Sequence, residues 1–231
     1  TFSDGNYTSN PAWTVSNATD WIVNASGQLQ SNNTTASSTF WTSTPSSLAT
    51  TAQWDFYVRL AFNPSSTNLV DVYLTASAAD VSLNSTSGYV VRIGNTDDEI
   101  SLYRKDASGT FVKIIDGVNG ILNTSNNVIR IRVIRNAANQ WTLLRDLTGT
   151  GNTFSSEGTV TDATFTTSNS FGIFVRQSTV SFFQLHYFDD IEVKTFVPDV
   201  TAPVITSVTG TSPTTASVLF NEPVDLTTSQ L

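Results

Sequence analysis

Apolar and polar residues alternate with a period of two along most of this chain, most cleanly over residues 54–62. Trp54, Phe56, Val58, Leu60 and Phe62 fall on one face there, and Asp55, Tyr57, Arg59 and Ala61 on the other. That is the pattern of a strand with one buried side. Residues 128–135 read the same way, with Ile129, Ile131 and Val133 inward and Arg130 and Arg132 outward. A meander precedes them, with strands predicted at 69–75, 89–93, 100–104 and 111–115 between turns rich in Asn, Asp, Ser and Gly. Two short strands flank a turn at Ser26-Gly27, another holds Phe40 and Trp41, and strands at 140–147 and 160–165 lead into a closing pair within 171–197. Such spacing, with one dry and one wet face per strand, predicts an all-β antiparallel sandwich or barrel.

In the closing strand, alternation places Phe183, Leu185, Tyr187, Ile191 and Val193 inward and Gln184, His186, Asp190, Glu192 and Lys194 outward. Asp189 then falls on the apolar face. A carboxylate is costly there unless a cation, converging N–H donors or a β-bulge accommodates it.

Composition narrows the classes of function. The 231 residues are dominated by Thr, Ser and Asn, and the net charge of −8 lacks the basic footprint of a nucleic-acid binder. No apolar run is long enough to span a bilayer, and no basic amphipathic helix is present. Without cysteine there is no disulfide framework, thiolate nucleophile or Cys-based zinc site. The chain opens at Thr1 without an initiator Met and breaks off mid-pattern at Leu231, as expected of a piece of a larger protein. Proline-punctuated residues 198–203 read as a linker between a domain over 1–197 and a segment over 204–231.

Several pieces, in order along residues 1–197, resemble laminin G-like, concanavalin A-like jelly rolls. They are FSDGNYTSNPAWTV, the Gly27-Gln28-Leu29 turn, QWDFYVRLAF, GYVVRIGNTDDEISLYR and FGIFVRQ…FDDIEV. The run SPTTASVLFNEPVD, within 204–231, resembles the opening strands of bacterial Ig-like repeats. The resemblance implies a two-sheet jelly-roll sandwich followed by a partial Ig-like segment, in an extracellular, secreted or cell-surface protein. Its partners would be a polysaccharide or cell-surface glycan and neighbouring Ig-like domains. The fold leaves function open, since such modules include sugar binders, adhesive modules and glycosidases.

Three constellations bear on that choice. A retaining glycosidase needs two carboxylates ~5–5.5 Å apart, and related enzymes carry them as an alternating acidic run on one strand. The acidic clusters here, Asp97-Asp98-Glu99 and Asp189-Asp190-Ile191-Glu192, do not fit that pattern, and His186 has no nucleophile signature beside it. We therefore read a non-enzyme. Asp4, Asp189 and Asp190 are candidate ligands of a structural calcium joining the first and last strands, as in related modules. Tyr57, Tyr73, Arg92, Tyr103 and Arg176 stand on the outward register as candidate glycan contacts, aromatic faces to stack on a sugar ring and guanidinium forks to bond its hydroxyls. The leading reading is a non-catalytic carbohydrate-binding or adhesive module. Its rivals are a structural spacer without ligand and a jelly-roll glycoside hydrolase.

Overall fold

The computed structural model describes residues 1–222 and 224. They form two compact units, Thr1–Phe196 and a smaller one from Val197 onward. Fourteen strands build the first unit: β1 (Thr14–Val15), β2 (Trp21–Val23), β3 (Leu29–Ser31), β4 (Ser38–Pro45), β5 (Ala52–Leu60), β6 (Leu69–Ala76), β7 (Gly88–Gly94), β8 (Glu99–Lys105), β9 (Phe111–Ile115), β10 (Asn127–Arg135), β11 (Gln140–Asp146), β12 (Ser155–Thr161), β13 (Ser170–Gln177) and β14 (His186–Thr195). They pair antiparallel into two seven-stranded sheets, in the orders β1-β4-β13-β6-β7-β8-β9 and β12-β11-β10-β5-β14-β3-β2. The unit is an all-β sandwich of jelly-roll type. No helix among the described residues is long and apolar enough to cross a membrane.

Alternation locates the core between the sheets. Trp54, Phe56, Val58 and Leu60 of β5 and Ile129, Ile131 and Val133 of β10 are all buried, and the two strands pair in register, Ile131 opposite Phe56 and Val133 opposite Trp54. Trp54 stacks on Trp141 with centroids 5.6 Å apart, Tyr89 lies 4.2 Å from Trp141, and Phe171 of the facing sheet meets Phe56 edge-on. Arg135 continues the inward register of β10 and is fully buried. A buried guanidinium is costly unless its donors are met; the terminal nitrogens of this one donate to the carbonyls of Ala49 and Phe165 at 2.7 Å each and to Asn139 Oδ1 at 2.8 Å, while Nε has no partner among the described residues.

Three turns share one local solution. In Asn24–Gln28, Asp106–Thr110 and Asn136–Gln140 the first side chain's Oδ1 accepts the N–H groups two and four residues on. The fourth residue (Gly27, Gly109 or Asn139) sits at positive φ. Asx residues favour such turns because their short acceptor replaces a backbone carbonyl.

Two expectations from alternation require correction. The strand expected at 160–165 runs instead from Ser155 to Thr161. In β14 the inward residues are His186 and Phe188, both fully or almost fully buried, while Tyr187 and Asp189 face outward half-buried. A bulge between Asp189 and Glu192, with Asp190 at φ 47, then resets the phase, so that Ile191 and Val193 pack against the core. The bulge swings Asp189 out of the apolar face. It also explains the error: one inserted residue inverts the facing of every side chain on one side of it.

The smaller unit is a two-stranded antiparallel hairpin, β15 (Ile205–Ser212) and β16 (Thr215–Phe220). Val204, Ile205, Val208, Val218 and Leu219 are exposed on it. The Ig-like segment expected over 204–231 lies partly outside the described residues, at 223 and 225–231.

Candidate functional site

The outward register of β5, β10 and β14 builds an ordered polar face. Pairing sets Glu192 beside Asp55 and Asp55 beside Arg132 in one row, and Asp189 beside Tyr57 and Tyr57 beside Arg130 in the next. Opposite charges meet across the face: Arg132 Nε donates to Asp55 Oδ1 on the adjacent strand at 2.6 Å, and Arg130 Nη2 reaches over β5 to Asp190 Oδ2 at 2.7 Å. Lys194 Nζ lies 2.5 Å from Glu192 Oε2, and the Arg59 guanidinium lies 4.9 Å from the Tyr187 ring centroid. Part of this face and the loop after β11 enclose an open cleft of about 530 Å3, lined by Asp55, Arg130, Arg132, Phe154, Asp190 and Glu192 among others. The half-buried ring of Phe154 stands 4.5 Å from the Arg132 guanidinium.

Asp146 holds the loop that carries this wall. Its buried carboxylate accepts the N–H and hydroxyl of Thr148 through Oδ1 at 2.7 and 2.6 Å. Through Oδ2 it accepts the Thr150 hydroxyl and the N–H groups of Gly151, Asn152 and Thr153, at 2.8–3.3 Å. Burial alone would raise its carboxyl, but the converging donors of Thr148, Thr153 and Gly151 outweigh that and hold it well below the usual carboxylate range. Burial pushes the Asp189 carboxyl up, partly opposed by the Asp190 N–H it accepts and reinforced by the neighbouring Asp190 charge.

The residues singled out from sequence divide between the two sheets. Tyr57 lies beside the cleft, half-buried, one strand over from Arg130. Tyr73, Arg92, Tyr103 and Arg176 belong to the other sheet, so the five do not form one site. Tyr73 and Tyr103 are not on a wet surface: with Ala76, Val81 and Val90 they form a second small core, 2% and 6% exposed. Residues 77–87 supply its cover, tied by Lys105 Nζ to the carbonyls of Leu83 and Asn84 at 2.9 Å each and to that of Thr86. Arg92 forks onto the buried Asp71 at 2.7 and 2.8 Å and lies against the rings of Tyr103 and Phe111, at 5.0 and 4.5 Å. Arg176 is exposed and donates to the Ser66 carbonyl. Conversely, Asp55, Arg130, Arg132 and Phe154 were not singled out from sequence, and Glu192 was read only as part of an acidic cluster that did not fit a glycosidase. Alternation placed Asp55, Arg130 and Arg132 outward, but nothing in it shows which strands are neighbours, and Phe154 lies in a loop with no periodicity.

The acidic trio does not make the expected calcium cage. Calcium takes ~6–8 oxygen ligands, and no group of three or more His, Cys, Asp or Glu side chains gathers to hold a metal among the described residues. Asp190 is engaged by Arg130, Asp189 by the N–H of Asp190, and exposed Asp4 caps its own turn by accepting the Asn6 N–H at 3.1 Å. The opening and closing segments are nonetheless neighbours, since Thr1 and Asp190 line the same cleft. An adjoining hollow of about 350 Å3, which shares Thr1 and Ile191 with the cleft, is lined by Trp13, Phe171 and Val193 beside Ser46 and Ser47, with no charged side chain among its lining residues.

No protein-family model and no curated protein matches the chain in sequence. Solved structures match it in shape. The carbohydrate binding module CBM66 from Bacillus subtilis superposes with a TM-score of 0.55 at 13% identity, covering 79% of this chain and 94% of that one. The exoplasmic/lumenal domain of VIP36 in its Ca2+/Man3GlcNAc-bound form gives 0.57 at 12% identity, covering 85% and 89%. The legume lectin-like domain from Entamoeba histolytica gives 0.54 at 12%, covering 79% and 89%. At these identities the likeness is one of fold, and the fold is that of a lectin-like jelly-roll sandwich.

Proposed function

We propose that this chain is a non-catalytic carbohydrate-binding or adhesive module of a larger bacterial secreted or cell-surface protein, with Ig-like repeats as its neighbours in the chain. The observation that carries the reading is the open cleft on the β5–β10–β14 face, where Arg130, Arg132, Asp55, Asp190 and Glu192 gather beside the ring of Phe154. A sugar ring offers apolar C–H faces and a hydroxyl rim; an aromatic ring takes the first, and charge-assisted donors and acceptors take the second. The similarity to structures described as carbohydrate-binding modules and saccharide-bound domains supports this use of the fold. Asp55, Asp190 and Glu192 are each engaged by a cation, an arrangement suited to holding a ligand rather than to protonating a leaving group. Tyr57 flanks the site; Tyr73, Arg92 and Tyr103 act instead as structural parts of the opposite sheet.

The test is a glycan array followed by calorimetric titration of the best ligand. Phe154→Ala removes a half-buried loop ring outside the core and should weaken capture about tenfold, on the scale of one lost ring contact. Tyr73→Phe should leave capture unchanged. Binding insensitive to Phe154→Ala and Arg132→Ala but abolished by Arg176→Ala would move the site to the other sheet. No capture of any glycan would leave the spacer reading in its place.

A further inference from the structure

Charge on the face around the cleft is balanced before any ligand arrives. Outward residues of β5, β10 and β14 supply four cations (Arg59, Arg130, Arg132, Lys194) and four carboxylates (Asp55, Asp189, Asp190, Glu192). Three pairs are closed at 2.5–2.7 Å, Arg132 with Asp55, Arg130 with Asp190 and Lys194 with Glu192. The Asp55 partner is itself 8% exposed, and its second oxygen accepts from Gln53 Nε2 at 2.5 Å. Among the described residues Arg132 is bonded through Nε alone, which leaves its two terminal nitrogens as donors for a ligand.

Resting on the carbohydrate-binding reading, we propose that the cleft takes an uncharged, hydroxyl-rich glycan without a metal ion, the guanidiniums of Arg130 and Arg132 doing the charge-neutralising work a bound cation would otherwise do. A hydroxyl is donor and acceptor at once, so neighbouring hydroxyls of a neutral sugar bridge a closed ion pair, one giving its proton to the carboxylate and the other accepting from the guanidinium. A uronate or sulfated sugar has no such fit. Its anion meets Asp55, Asp190 and Glu192 at close range, and the guanidinium donors it could reach belong to cations whose charge a bonded carboxylate already offsets. Calcium faces the converse obstacle, since it must expel the arginine or lysine that holds Asp55, Asp190 or Glu192 and then find further oxygens.

Asp190→Asn tests the balance without disturbing the fold. Position 190 is at φ 47, a conformation asparagine tolerates, and the side chain is 42% exposed. Matched neutral, uronate and sulfated oligosaccharides are titrated into wild type and variant, in calcium and in chelator, and melting is followed in both buffers. In wild type the neutral ligands should bind at least about tenfold tighter than the acidic ones, with neither affinity nor melting temperature moved by chelator. Asp190→Asn, by freeing Arg130, should narrow or invert the gap between acidic and neutral ligands. Chelator-sensitive capture, a preference of wild type for acidic ligands, or an unchanged gap in the variant would overturn this inference alone. Capture of neither class would overturn the carbohydrate reading, and this inference with it.

Discussion

His186 offers a stability switch whose size follows from its surroundings. The ring is fully buried, with Phe62 at 4.8 Å and Phe40 at 6.5 Å. Among the described residues its one polar partner is Ser31 Oγ, 3.1 Å from Nδ1, and Nε2 has none. Burial in this apolar site pushes the imidazole pKa down to about 3, from an ordinary 6.5. The unfolded chain therefore takes up a proton below pH 6.5 that the folded chain refuses until about pH 3, and stability must fall as pH falls through that window. Each pH unit within it costs about 1.4 kcal/mol, so lowering pH from 7 to 5 removes about 2 kcal/mol. With a typical urea slope of ~2 kcal/mol per molar, the midpoint moves by on the order of 1 M. Urea titrations followed by tryptophan fluorescence at pH 7, 6 and 5 measure this directly. His186→Asn, which keeps a polar atom near Ser31 but does not titrate, should be less stable at pH 7 and flat from pH 7 to 5. The depressed carboxyls Asp146 and Asp162 contribute stability that is lost only as pH falls below about 4, where both proteins respond alike. A wild-type curve as flat as the variant's, or a native His186 titrating near 6.5 by NMR, would refute the reasoning.

Two further substitutions separate structural from ligand-facing roles. Arg92→Ala should cost about 3 kcal/mol in chemical denaturation, because it strands the buried Asp71 carboxylate, and leave glycan capture intact; a loss below about 1 kcal/mol would contradict the role assigned to the pair. Gly149→Ala places a Cβ 2.4 Å from Val128 Cγ1 at a position held at φ 72. It should cost about 1–2 kcal/mol and displace the loop bearing Thr150 and Phe154, weakening capture severalfold by titration; unchanged affinity would detach the loop from the site.

Much of the fold was legible in the order of side chains. Period-two alternation in β5 and β10 identifies both strands and their buried faces, because a strand's geometry permits only two orientations and burial penalises the wrong one. The same rule identified Asp55, Tyr57, Arg130 and Arg132 as outward. Tertiary structure decided the rest. Whether an outward residue meets water depends on what lies over its sheet: the segment 77–87, through Val81, packs on Tyr73 and Tyr103 on one side, while the Arg132 side chain on the other is 35% exposed. His186 went from wet face to core through a one-residue bulge at Asp190, which alternation cannot locate in advance. The pairs at the cleft, Asp55 with Arg132 and Arg130 with Asp190, join residues 77 and 60 positions apart. Local pattern sets which way a side chain points, while long-range strand pairing chooses its neighbour, and the chemistry of this cleft belongs to the neighbours.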